Sequence, residues 1–244
     1  MDKVEIYDVG LDPYRAVSKR IVSVPSIYIN NRLYYAGVFS VTEATRVIER
    51  EEIPVEETFD YDKAVERIML GFLDSSYIVV NLFLYNDPER IFQFRDFIEA
   101  VSRYVFYKYR DEENFENLKK RFLEYTESKR EYFNNELVKV LGKILVRDLV
   151  YTYWPDKPLE NYFNNSQRIL FYLYAKNSLG RVGLLAGYTN DLIPKDLRYR
   201  VELLRDFIDK SWDSLVNTIY NDLTELLKDQ VYISEYYKRV KSIY

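Results

Sequence analysis

The chain has 244 residues, 48% hydrophobic and 30% charged, enough apolar material for a substantial core and unlike the composition of a disordered polypeptide. A net charge of -4 and a pI near 5.2 weigh against nonspecific nucleic-acid binding, which rests on an excess of Lys and Arg facing phosphates. The absence of Cys and His excludes dithiol redox chemistry, Cys nucleophiles, Cys/His zinc sites, Ser-His-Asp triads and imidazole acid–base catalysis, leaving Asp, Glu, Lys, Tyr, Ser and Thr chemistry or none.

In chain order, "KVEIYDV" reads as a short strand, because Val4, Ile6 and Val9 alternate with polar residues, and Gly10 ends it. Asp12-Pro13 is an N-cap followed by proline at the first helical position, predicting a short helix over residues 14–21 with Val17 and Ile21 inward. Residues 26–29 and 33–36 read as two strands joined through Asn30-Asn31, since Asn tolerates the positive φ of a tight hairpin turn. After Gly37, Ser40-Val41-Thr42-Glu43 has the form of a capping box, and Ala44, Val47 and Ile48 give the helix it starts an apolar face.

This order of strand, helix, Val-Pro, strand, tight turn, strand, Gly and helix resembles the C-terminal half of the thioredoxin and glutaredoxin fold, through "VPSIYINNRLYYAG". The resemblance covers about residues 3–50 and lacks the preceding strand and helix that carry the Cys pair, so the family's redox activity does not carry over. It implies a cis peptide at Val24-Pro25, with the Val24 N–H and C=O free to pair with an extended peptide or a thiol ligand. The alternative is a proline that merely starts a strand at a sheet edge. Ser26 follows directly in this candidate ligand- or peptide-binding set of Val24, Pro25, Ser26 and Tyr7.

The acidic stretch "EREEIPVEE" with Pro54 predicts a hinge, and a helical region follows. Residues 61–73 place Val65, Ile68, Met69 and Phe72 on one helix face. "SSYIVVNLFLYND" is open between a buried helix and a strand, because a continuous apolar run has no readable period. Pro88 starts a helix expected to carry Ile91, Phe94, Ile98, Val101 and Val105 toward Tyr109. The charged segment after it continues helically through Phe115, Leu118, Phe122 and Tyr125, and a further helix from about residue 136 stops at Trp154-Pro155. Beyond a Pro- and Asn-rich link, "SQRILFYLYAKNSLGRVGLLAGY" is apolar and glycine-punctuated. A long helix over residues 194–227 then carries Leu197, Val201, Leu204, Ile208, Leu215 and Ile219.

The expected fold is thus mixed α/β, mostly α: an incomplete thioredoxin-like β-α-β-β-α unit at 1–52, followed by a large all-helical domain at 58–244. This layout is also similar to that of glutathione transferases. That second resemblance implies a small-molecule site between the two parts, using the Val24-Pro25 backbone and Tyr7 or Tyr28, although Phe39-Ser40 replaces the family's acidic-Ser ligand motif.

Glu202, Asp206, Asp209 and Asp213 form one stripe on the last helix and read as a solvated face, since a divalent cation needs a second facing stripe. Lys119-Lys120-Arg121 and Lys129-Arg130 alternate with Glu and favour mutual pairing over anion binding. "GRVGLLAG" lacks the Lys-Ser/Thr ending of a phosphate loop and reads as close packing or a turn. The 25 tyrosines, in clusters such as Tyr104, Tyr107 and Tyr109, suit core edges and protein interfaces. No run reaches the roughly 18 apolar residues of a membrane span. The chain opens without an apolar signal core, and the absence of Cys with abundant Glu, Lys and Ile matches proteins of hot environments. The function expected is that of a noncatalytic, thioredoxin-like scaffold or protein-interaction protein, cytoplasmic and from a thermophile. It is expected to have a protein partner or to form a homodimer, and to use no cofactor, metal, nucleic acid or membrane. The alternative is a glutathione-transferase-like enzyme.

Overall fold

The computed structural model describes residues 5, 7, 18–50, 53–153, 169, 173, 196–230, 233 and 234. Most of the expected first strand and first helix, the Pro- and Asn-rich link and the glycine-punctuated "GRVGLLAG" lie outside this description. The described chain is mostly helical with one small antiparallel sheet.

Strands β1 (Ser26–Ile29) and β2 (Arg32–Ala36) form the expected hairpin. Asn30 and Asn31 take φ of 50° and 65°, the left-handed conformation that matches the twist of paired strands. The register pairs Ser26 with Ala36 and Ile29 with Arg32, with an irregularity between Ile27 and Tyr28. Helix α1 (Val41–Arg50) follows, and Ser40 Oγ accepts the Glu43 N–H at 3.3 Å. The reciprocal half of the expected capping box is not made: the Glu43 carboxylate instead meets Arg103 at 2.6 Å.

The sequence expected as a hinge is pinned at its far end. Glu56 donates its N–H to the Phe106 carbonyl (2.8 Å) and accepts the Lys108 N–H (2.9 Å), a parallel bridge to Tyr107. Its carboxylate binds Arg103 at 2.9 Å, and Glu57 binds Lys108 at 2.8 Å.

Helix α2 (Tyr61–Asp74) buries the expected Val65, Ile68, Met69 and Phe72. The ambiguous apolar run is helix α3 (Ser76–Tyr85), and every residue from Ile78 to Tyr85 is buried, which is why its sequence shows no period. The two helices meet at Ser75 with a bend of 94°. The single helix expected from Pro88 to Tyr109 is divided. A 3-10 turn at Glu89–Gln93 leads into α4 (Arg95–Ser102), and left-handed Arg103 (φ 67°) leads into a second 3-10 turn at Tyr104–Phe106. Ser102 Oγ bonds the Ile98 carbonyl (2.6 Å) and accepts the Tyr104 N–H (3.2 Å), ending the helix from within.

Helices α5 (Glu112–Ser128), α6 (Arg130–Tyr153) and α7 (Leu197–Lys228) complete the described chain. Asp111 caps α5 by accepting the Asn114 N–H at 2.7 Å. Helix α6 begins six residues earlier than the sequence suggests. The 32 residues of α7 extend about 48 Å at ~1.5 Å each. Where α6 and α7 cross, a side chain at Gly142 would meet the Phe207 ring at 2.7 Å, so glycine sets the closest approach.

One core runs through the molecule: Val22, Leu33 and Ala36 from the hairpin region share it with α2 through α7. A second cluster of Tyr34, Tyr35, Ala44, Val47, Val105 and Phe106 seats α1. Among the described residues no single helix is long and apolar enough to cross a membrane.

Arg200, on α7, is buried, and its guanidinium donates to the Phe83 carbonyl, one of the orphan acceptors at the C-terminal end of α3. Asp196 lies 3.1 Å from the same guanidinium. Substituting Arg200→Met leaves the Phe83 carbonyl unpaired and is expected to cost about 2 kcal/mol in denaturant unfolding. Unchanged stability would show that this bond does not hold α3 to α7.

Candidate functional site

The segment leading into β1 is held by backbone and hydroxyl contacts. Ser75 Oγ donates to the Val22 carbonyl, and the same oxygen accepts the Ile78 N–H (3.3 Å) as the N-cap of α3. Ser26 Oγ donates to the Ser23 carbonyl at 2.7 Å, and Gly37 N–H donates to the Pro25 carbonyl at 2.9 Å. The Val24–Pro25 peptide is cis. Val24 itself is 54% exposed, and among the described residues nothing pairs with its N–H or C=O. The backbone on either side is anchored, and the residue between is open.

The expected residues Val24, Pro25 and Ser26 therefore form one short ledge. Tyr7 is exposed. Tyr28 donates its hydroxyl to the Lys19 carbonyl at 3.0 Å, and burial, with Asp96 nearby, pushes its pKa to about 12. A phenol held protonated in that way ties β1 to the turn before it, and near neutral pH it is a poor proton acceptor.

The sequence reading missed Asp74, the last residue of α2. Its carboxylate lies against Gly37: a Cβ placed there would meet Asp74 Oδ2 at 2.6 Å and Ser23 Oγ at 3.2 Å. Gly37 also has φ of 65°, a left-handed conformation that favours glycine. Asp74 stands at the end of a helix, where the backbone dipole disfavours an anion, and the last turn of α2 contains no basic residue. No cation lies within ion-pair distance of it among the described residues. Burial raises the Asp74 carboxyl above the ordinary carboxylate range, and the facing Ser23 hydroxyl opposes that shift. The only sequence signal was an acidic residue at the wrong end of a helix.

Several surface charges elsewhere pair with one another. Arg205 reaches Glu202 (3.0 Å), Asp206 (3.4 Å) and Asp209 (4.0 Å), and Lys119 reaches Glu89 (2.9 Å). Among the described residues no group of three or more acidic side chains is placed to hold a metal ion. Comparison with protein-family models, with characterised proteins and with solved structures finds no match to this chain.

Asp74 thus sits in a place that costs stability. Its carboxyl has a raised pKa in the folded chain, so the folded state is favoured at pH below the ordinary carboxyl range and loses that advantage as pH rises through the folded value. Replacing it with isosteric Asn, Asp74→Asn, is expected to raise unfolding free energy at pH 7 by about 0.5 kcal/mol, the size of one unfavourable helix-end charge. The gain should vanish in acid, where both side chains are neutral. A loss of stability at pH 7 would mean that the carboxylate is a favourable structural partner.

Proposed function

We infer that the protein is a noncatalytic, thioredoxin-like interaction protein whose Val24 ledge accepts an extended polypeptide by strand addition. The observation that carries this reading is the exposed, unpaired Val24 backbone between two anchored neighbours. Main-chain groups open in this way supply affinity to an added strand, while flanking side chains supply selectivity. The sequence has no Cys or His, so a substrate thiol held at this ledge would meet neither a protein thiolate nor an imidazole base. Tyr28 is engaged with Lys19 and retains its proton, which weighs against the transferase alternative through that residue. A thermophilic source and a cytoplasmic setting remain part of the proposal through composition alone.

The test is photo-crosslinking in the source cells with p-benzoylphenylalanine incorporated at Val24, paired with glutathione titration of the purified chain. The expected outcome is a discrete polypeptide adduct, from another protein or a second copy, and no saturable glutathione binding. Saturable binding with turnover of an electrophile, and no polypeptide adduct, would overturn the reading in favour of the transferase.

A further inference from the structure

Helix α1 buries fewer of its side chains than any other described helix. Only Ala44 and Val47 are buried among its described side chains, against Tyr34, Tyr35, Val105 and Phe106 in a cluster separate from the main core. One ion pair, Glu43 to Arg103 at 2.6 Å, ties it to the rest among the described residues. A helix of ten residues, short of about 12 to 15, is marginal on its own in water, so α1 owes its order to this seat.

The closed arrangement also carries a cost beneath the helix. Tyr35 is 3% exposed, and its hydroxyl has no hydrogen-bond partner. Glu43, the acid within reach of it, is engaged by Arg103 and closes no hydrogen bond to the phenol. A buried hydroxyl left unpaired has lost its water without replacement, and lifting α1 returns it to solvent. The seat itself is held by other elements. Arg103 also binds Glu56 at 2.9 Å and lies over the Phe106 ring at 5.0 Å, Glu56 is bonded to the Phe106 and Lys108 backbones, and β2 carries Tyr34 and Tyr35.

We propose that α1 is a cover that opens as a unit while the helical core stays folded, uncovering an aromatic shelf of Tyr34, Tyr35 and Phe106. The free chain then holds two states, and the shelf is reached only in the minor one. The inference is independent of the reading of Val24 as a docking ledge.

The absence of native Cys makes the test direct, because a single cysteine at a buried position reports opening through its rate of labelling by a thiol reagent. Val47→Cys reads α1, and Val201→Cys reads the core from α7. Val47→Cys is expected to label at least about a hundredfold faster than Val201→Cys. Denaturant should accelerate it far less, since opening α1 exposes little surface. Adding Tyr35→Phe, which removes the unpaired hydroxyl and keeps the ring, is expected to slow labelling of Val47→Cys about tenfold. Amide exchange on the unaltered chain reads the same opening without a substitution: the amides from Arg46 to Glu49 should share one low protection, well below that of Leu204 and Ile208. Equal labelling rates and denaturant slopes at the two cysteines would show that α1 opens only with the whole molecule and would overturn the proposal. Protection that climbs stepwise from the ends of α1 would replace a cover with simple fraying and overturn it as well. Faster labelling with Tyr35→Phe would overturn the part assigned to the hydroxyl.

Discussion

The structure turns on one hydroxyl. Ser75 sits in the 94° corner between α2 and α3, is almost fully buried, and serves two elements at once. It caps α3 by accepting the Ile78 N–H, and it donates to the Val22 carbonyl just before the ledge. A buried hydroxyl has one proton to donate and lone pairs to accept, and here both capacities are used, so neither a helix end nor a loop carbonyl is left unpaired. Because the corner residue holds Val22, the residue before it, Asp74, is delivered to Gly37. The position of the open ledge and of its neighbouring charge therefore follows from a single capping interaction in the helical core.

Buried and half-buried ion pairs lock the remaining contacts between the hairpin and the helices. Glu99 on α4 takes Arg32 from β2 and Arg95 from its own helix, and Arg95 continues to Glu112 at the start of α5 while stacking over Phe115 at 4.4 Å. Arg103, in the left-handed position that ends α4, gathers Glu43 from α1 and Glu56 from the connecting segment. Such pairs fix register and orientation more than they add stability, since desolvation offsets much of the attraction. With Tyr34, Tyr35 and Phe106 packed beneath them, they leave α1 a defined seat on the helices.

Local signals carried the hairpin, because Asn30-Asn31 prescribes its own backbone, and they carried the helix faces of α2, α5 and α7, because one-sided burial leaves a 3.6-residue period. Helix α3 was ambiguous for the opposite reason: buried on all sides, it has no period to read. The break of α4 at Ser102 and Arg103 depends on a serine turned onto its own helix and an arginine drawn to Glu43 and Glu56, none of which periodicity reports. Val24 and Pro25 were legible as a pattern. Asp74 was not, since nothing local reports that the fold sets Gly37, thirty-seven positions earlier, against its carboxylate.

The account joins an anchored frame to one open main-chain position. Its central claim is that the Val24 N–H is available while the backbone around it is fixed. Single-residue amide exchange on the free chain measures this directly. The Gly37 amide, bonded to the Pro25 carbonyl, is expected to be strongly protected, whereas the Val24 amide exchanges close to its unstructured rate. Protection of both amides to the same degree would show that the ledge is already filled by the protein itself, and would contradict the account.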